Sequence, residues 1–338
     1  MVACYCKHNY NFKFLINHII MVTPIDIKEN AIGFIDSRIG GRKENQDAAG
    51  LRETKLGYLI VVCDGMGGMQ GGSVASQLAV KKIIETVSAA DHQANPSMTL
   101  TKAIRNANIA IIEEGKNNSA LQGMGTTVTA LLISKHSAIA AYVGDSRIYQ
   151  IRNGKKVFRT FDHSMVFEMV KKKVISEEQA RLSAQSNVIM KALGVTPDIE
   201  VEVSEHPYQK GDRFILCTDG FWGAMPEEEF IRYLSEKKSI NNILESTANI
   251  VESIGRNSGN EYDNLTAAIL EMKSNSILKE KMNKLSKIII SVLLVILLAS
   301  VALNIALYTQ NCENADKIHQ NINSSQIESS KDTTNILK

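Results

Sequence analysis

The chain has 338 residues, 44% of them hydrophobic and 22% charged, with a net charge of +2. This is ordinary globular composition, with enough chain for one large domain or two smaller ones. The near-balanced charge, with no basic stripe interleaved with aromatics, argues against nucleic-acid binding. Five cysteines without a Cys-x-x-Cys argue against a structural zinc site and a disulfide framework.

Residues 1–29 read as an N-terminal extension. The stretch 12–22 is patchily apolar, but Asn17 and His18 interrupt it and no small-residue cleavage site follows, so it is not read as a signal peptide. Met21 is an alternative start. From residue 30 to about 270, short strand patterns alternate with longer helical ones. Runs 58–63, 127–133, 138–143, 147–151 and 214–217 are β-branched or apolar and bounded by Gly, Asp or Asn, as strands are. Runs 72–87, 100–114, 227–234 and 240–254 carry apolar residues at helical spacing. Arg152, Asn153 and Gly154 between two strand-like runs signal a hairpin. Helices come in pairs with adjacent strands between them, which predicts α+β layers around antiparallel sheets rather than a doubly wound parallel sheet. Residues 162–197 read as a polar, mostly helical excursion. Cys63 and Cys217 sit inside apolar runs and read as buried strand thiols, in keeping with a reducing compartment.

Beyond the globular part, 272–287 reads as a basic helical linker. Residues 288–308 follow without a single charge, and Asn304 is their only strongly polar residue. That is the length of a bilayer span, and a buried core helix would show a polar face. Lys273, Lys279, Lys281, Lys284 and Lys287 precede the span, whereas only Lys317 follows it closely. The positive-inside rule therefore puts the large N-terminal part in the cytoplasm and the tail, 309–338, outside. The location expected is a single-pass anchor in a cell inner or plasma membrane, with lipid as a partner. The tail, rich in Asn, Ser and Asp, reads as disordered or as a short recognition segment.

Three acidic residues stand at the edges of apolar runs: Asp64 after 59–63, Asp219 after 214–218, and Asp263 before 265–270. Asp-Gly after an apolar run is also a plain turn signal. Three of them together suggest carboxylates converging on one rim of a sheet core, where hard divalent cations bind and assist hydrolysis. Arg42 and Asp47 add a guanidinium suited to a phosphate and a further carboxylate. Gly65, Gly67 and Gly68 let the backbone approach an ion, so that a carbonyl there can be a ligand. A nucleotide-binding loop is the rival reading, but neither Gly-Lys-Ser/Thr nor a complete Gly-x-Gly-x-x-Gly occurs. Asp145, between Gly144 and Ser146, is one more acidic turn.

In order, these elements resemble the metal-dependent PPM family of serine/threonine protein phosphatases, also called type 2C. Arg42 with Asn45, Gln46 and Asp47 begins the series, and Asp64, Gly65, Met66, Gly67 and Gly68 continue it. Gly125, Thr126 and Thr127 precede Gly144, Asp145, Ser146 and Arg147. Asp162, His163 and Ser164, then Ala192, Leu193 and Gly194, mark a flap, and Asp219-Gly220 and Asp263-Asn264 complete the set. The resemblance covers about 30–271 and implies a sandwich of two antiparallel β-sheets flanked by α-helices, with one C-terminal transmembrane helix added.

The resemblance further implies two Mn²⁺ or Mg²⁺ ions at one end of the sandwich. Asp64 would bridge them, the Gly65 carbonyl would join the first site, and Asp219 and Asp263 would complete the second. Asp145, with Asp219, would fit a third and weaker site of bacterial-type members. Arg42 would bind the substrate phosphate and Asp47 would act near the metals. A metal-bridging water or hydroxide would attack phosphoserine or phosphothreonine of substrate proteins in line, and a serine/threonine kinase would act on the same substrates. No cysteine begins a Cys-x5-Arg loop, which argues against a cysteine-dependent phosphatase. Two departures stand out. Met66 replaces the histidine of many eukaryotic members, and Gln46 holds a position that is often Glu, a change that points to a role behind the ligands. Gln46 also keeps open a second reading, a catalytically weak, membrane-bound phosphoprotein-binding module or pseudophosphatase. If Met21 is the start, N-terminal peptides of the native protein will begin at Met21 or Val22; mass spectrometry detecting Met1 or Val2 would rule it out.

Overall fold

The computed structural model describes residues 23–27, 31–259 and 262–335. The extension up to residue 22, with Met21, lies outside the described residues. The chain divides into two units, Met1–Lys279 and Glu280–Lys338.

The first unit contains twelve strands and seven helices among its described residues. In chain order they are β1 (Thr23–Ile27), β2 (Ala31–Arg38), β3 (Asp47–Thr54), β4 (Gly57–Met66), α1 (Gly68–Ser88), α2 (Pro96–Asn117), β5 (Gly125–Thr126), β6 (Val128–Ile133), β7 (Ala138–Val143), β8 (Arg147–Arg152) and β9 (Lys155–Arg159). Then come α3 (Met165–Lys171), α4 (Glu177–Arg181), β10 (Glu202–His206), β11 (Arg213–Cys217), α5 (Asp219–Trp222), α6 (Glu227–Leu234), α7 (Ile240–Asn257) and β12 (Leu265–Met272). One sheet has the order β1-β2-β12-β11-β8-β9. The other runs β10-β7-β6-β4-β3, with β5 hooked onto the end of β4. Neighbouring strands are antiparallel throughout, as the helix pairing predicted.

The strands read as unbroken apolar runs because both faces of each sheet are covered. Along β4, Ile60 and Val62 face the layer between the sheets, while Leu59, Val61 and Cys63 pack with α1 and α2. Along β11, Phe214 and Leu216 face inward, and Ile215 and Cys217 pack with α5, α6 and α7. This period-two alternation produces a four-layer α-β-β-α sandwich. Cys63 and Cys217 are free and buried, and burial pushes both thiols up, away from the reactive thiolate. Helix α2 starts sharply because the Asn95 side chain accepts from the Met98 N–H at 3.0 Å and Pro96 takes the first helical position.

The excursion 162–197 departs from the expectation of a mostly helical segment. It holds only α3 and α4, of 7 and 5 residues, in otherwise irregular chain. Lys173 takes a positive φ of 59°, which ends the first helix, and Ser176 caps the second through a capping box with Gln179. Strands β2, β3 and β10 carry no strong sequence signal. Strand β3 includes Ala48, Ala49 and Gly50, poor strand formers, and is held by its pairing with β4.

The second unit belongs to α8 (Ile277–Asn335), which continues through the uncharged run and into the tail. Its stretch Ile277–Gln310 is long and apolar enough to cross a membrane, with a mean hydropathy of 2.9 over its most apolar 18 residues. The tail is helical as far as Asn335 rather than disordered, and it contains no Gly or Pro to break a helix. Replacing Leu216, fully buried between the sheets, by Ala is expected to lower the unfolding free energy by about 2–5 kcal/mol, read as a lower urea midpoint.

Candidate active site

The two sheets bring their acidic ends to one rim. Asp47 opens β3 and is the direct cross-strand partner of Asp64 near the end of β4. Asp145 lies in the turn between β7 and β8, Asp219 follows β11 as the first residue of α5, and Asp263 precedes β12. These are the sequence-predicted positions, and all five stand at the same end of the sandwich. An open cleft of about 410 Å³ above them is lined by Arg42, Asp145, Asp162, Asp219, Trp222 and Asp263, among others. Asp47 and Asp64 are not among its lining residues.

Backbone and hydroxyl groups hold the carboxylates from behind. The Thr127 hydroxyl accepts from the Asp64 N–H at 3.0 Å, and the Thr126 hydroxyl donates to the Asp64 carbonyl at 2.7 Å. Thr218 donates to Asp47 Oδ2 at 3.0 Å. Gly65 closes against α1 and the preceding loop, since a Cβ there would lie 2.1 Å from the Gly72 carbonyl oxygen. Asn264 staples three segments: its Oδ1 accepts from the Gln46 N–H at 2.8 Å, and its amide donates to the carbonyls of Ile39 and Glu44 at 2.7 and 2.9 Å. The Gln46 carbonyl accepts from the Gly65 N–H and the Ser76 hydroxyl at 3.2 and 2.6 Å. Gln46 thus helps build the site through its main chain.

The electrostatics are those of like charges under burial. Burial first, then repulsion from Asp47, Asp219, Asp145 and Asp263, pushes Asp64 well above the usual carboxylate range, although it keeps a solvent-facing edge. Burial raises Asp47 to about 8, opposed by hydrogen bonds from Thr266 and Thr218. Asp145 and Asp219 are raised for the same first reason, followed by repulsion from Asp219 and from Asp263 respectively. The Oδ1 atoms of both are buried without a hydrogen-bond partner among the described residues. Such a set of oxygens, short of positive charge and of donors, fits hard divalent cations. No three His, Cys, Asp or Glu side chains among the described residues close on one point. Asp263 instead pairs with Arg42 at 2.9 Å, both partly exposed. Gly40 makes this approach possible: at φ +65° it lies where a Cβ would fall 2.0 Å from the Asp263 carbonyl oxygen.

A second layer was not assigned from the sequence. Arg147, buried in β8, forks onto Asp162 at 2.8 and 2.7 Å, and the Trp222 ring lies 3.3 Å from its guanidinium. The Trp222 indole N–H donates to the Asp145 carbonyl at 3.1 Å. Trp222 is the only tryptophan and lies three residues after Asp219, a signal that was present but had no partner until the fold supplied Arg147. Next to it, the Gly144 N–H donates to His163 Nδ1 at 3.1 Å, so the ring proton sits on Nε2 and reaches Glu202 at 2.9 Å. The excursion is closed by a bridge between Thr126 and Leu193.

Residues 36–273 match the family model described as protein phosphatase 2C. The chain belongs to the protein phosphatase 2C family. The serine/threonine phosphatase Stp of Listeria welshimeri is 33% identical over 234 residues, 68% of this chain and 91% of that protein. PstP of Mycobacterium tuberculosis is 31% identical over 236 residues, 68% of this chain and 43% of that protein. Among solved structures, the Streptococcus agalactiae serine/threonine phosphatase superposes with a TM-score of 0.64 at 29% identity, covering 72% of this chain and 100% of that one. The catalytic domain of PstP in complex with two manganese ions gives 0.59 at 27% identity, covering 72% and 99%. This chain is therefore a type 2C serine/threonine protein phosphatase.

Burial lowers the His163 imidazole below its ordinary value, opposed by Glu202. A depressed histidine contributes stability that is complete above the unfolded value, about 6.5, and is lost as pH falls through the folded one. The advantage of this phosphatase over its His163→Gln variant in urea unfolding should therefore be full near neutrality and narrow as pH falls below that value.

Proposed function

We propose that this phosphatase hydrolyses phosphoserine and phosphothreonine in proteins with the help of two Mn²⁺ or Mg²⁺ ions, at the cytoplasmic face of a membrane that its C-terminal helix crosses. The observation that carries the reading is the buried, mutually repelling carboxylate set with orphaned oxygens on Asp145 and Asp219. Asp64 would hold both cations, the Gly65 carbonyl would complete one site, and Asp219 and Asp263 the other. Asp145 with Asp219 would offer a third, weaker site. When bound, such cations supply Lewis acidity and make water nucleophilic near neutral pH.

The chain's own groups do the rest. Arg42, half-exposed at the cleft, presents a planar fork that matches two phosphoryl oxygens and stabilises the charge that builds on them. It would exchange its pairing with Asp263 for the substrate. Asp47, fixed by Thr218, orients water at the base of the site. The bond from phosphorus to the Ser or Thr oxygen breaks as the bond to the water oxygen forms, and the departing alkoxide takes a proton. Met66 cannot donate it, so it comes from solvent-derived water. The inert-module reading rested on Gln46, and the main-chain hydrogen bonds by which that residue holds Asn264, Gly65 and Ser76 are equally available to Glu.

The uncharged helix and the lysines before it support the membrane assignment and its orientation. Phosphoproteins of the cytoplasm, a kinase acting on the same substrates, and lipid are the partners this reading implies. Phosphate release from a phosphothreonine peptide by the full chain in detergent should require Mn²⁺ or Mg²⁺. Asp64→Asn and Asp219→Asn should each reduce it by about a thousandfold or more, while Cys63→Ser leaves it unchanged. Absence of turnover with two cations shown to bind by calorimetry would refute the catalytic reading. The full chain should stay with the membrane pellet after alkaline extraction; its release would refute the anchor.

A further inference from the structure

The strands run from the carboxylate rim to a second rim of opposite charge. The β3–β4 turn there carries Lys55, the β6–β7 turn Lys135, the start of β9 just after its hairpin turn Lys155, the β10–β11 loop Lys210, and the segment after β12 Lys273. All five are exposed, and none has an ion-pair partner among the described residues. The single acidic residue of these five turns, Asp212, is fully buried and neutralised by Arg152 at 2.7 and 2.6 Å. Glu53 and Glu205 flank the rim from strands. An open groove of about 670 Å³ on this rim is lined by Lys55, His92, Lys135 and His136, with Glu53 and Glu205 at its sides.

The chain leaves its first unit at this same rim. The Ile277 and Leu278 N–H groups donate to the carbonyls of Lys135 and His136, each at 3.0 Å. The Tyr208 hydroxyl donates to the Ser134 carbonyl at 2.6 Å, and the Ser276 N–H to the Tyr208 carbonyl at 2.9 Å. The departure point is thus tied to the turn that carries Lys135. Ten residues of helix from Leu278, a rise of about 15 Å, reach Ile288, where the uncharged run begins. Lys279, Lys281, Lys284 and Lys287 lie on that stretch.

We propose that this lysine rim is a docking surface for anionic lipid, and that it seats the phosphatase domain on the bilayer its own helix enters. The proposal rests on the membrane reading of 288–308. Ammonium groups within about one Debye length of a negative leaflet, roughly 8–10 Å, are attracted to it. The carboxylate rim is repelled by the same field. The seven residue steps along β4 from Gly57 to Asp64 span about 23 Å, so a domain seated on its lysines holds the cleft clear of the lipid and open to soluble phosphoproteins.

The test uses residues 22–279 without the membrane helix. Such a piece folds alone by analogy with the S. agalactiae phosphatase, whose whole structure is matched by 72% of this chain. It should sediment with vesicles of phosphatidylcholine mixed with phosphatidylglycerol, not with phosphatidylcholine alone, and rising salt should release it. Replacing Lys55, Lys135, Lys155, Lys210 and Lys273 together by Gln should weaken partition by about 100-fold or more, at roughly fivefold per lysine with some held too far away. Phosphate release from a soluble phosphopeptide should be unchanged. Replacing Lys81, Lys102 and Lys116 by Gln should leave partition intact. Equal binding to neutral vesicles would overturn the proposal, and so would wild-type binding by the five-lysine variant or an equal loss in the control. If the full chain resists alkaline extraction while the piece ignores phosphatidylglycerol, the docking proposal falls and the membrane reading stands.

Discussion

Like charges do not gather in a partly dry site unless something holds them there. At the rim of this sandwich Asp47, Asp64, Asp145 and Asp219 are all pushed toward protonation by burial and by one another. The fold supplies the opposing force. Strand pairing sets Asp47 opposite Asp64, and two packed sheets bring the ends of β4, β7 and β11 together. Threonines 126, 127 and 218 hold the backbone or carboxylates by hydrogen bonds that do not neutralise charge. The core between the sheets therefore stabilises an arrangement that is unfavourable at its rim, and that excess of negative charge suits the site to divalent cations.

Positive charge is kept close but placed with care. Arg147 is buried beside the cluster, yet Asp162 and the face of Trp222 take up its guanidinium, so it offsets only in part the repulsion on Asp145. Trp222 in turn grips the Asp145 carbonyl, which ties the β7–β8 turn to α5. Arg42 stands outside, partly exposed and paired with Asp263, free to meet a phosphate from solvent. The two arginines differ in burial and in partners: one is locked beside Asp162 and Trp222, and the other lines the open cleft. At the far ends of the same strands, lysine-bearing turns give the domain an electrostatic axis along its strand direction.

Much of this was legible beforehand, for local reasons. Strands β4, β6, β7 and β11 announced themselves because both faces are covered and their residues are apolar without interruption. The acidic residues stood out because each breaks or borders such a run. Strands β3 and β10 stayed hidden because few of their residues prefer a strand and neighbours recruit them. The excursion after β9 looked helical because Met165–Lys171 and Glu177–Arg181 have helical spacing, but Lys173 at positive φ and two serine caps cut it short. Trp222 and Arg147 were visible as residues but not as a pair, since 75 positions separate them and nothing local links them.

By itself the sequence determined which residues are acidic, where the apolar runs end against them, and that an uncharged stretch after residue 287 is long enough to span a bilayer. These are properties of short windows, and short windows carry them in full. Only the tertiary structure decided that Asp47 faces Asp64, that two carboxylate oxygens are left without donors among the described residues, that Asp212 is cancelled by Arg152, and that Ile277 and Leu278 are tied to the β6–β7 turn. Each of these depends on strands distant in the chain meeting in register. Burial and partial charge exist only once that meeting has excluded water.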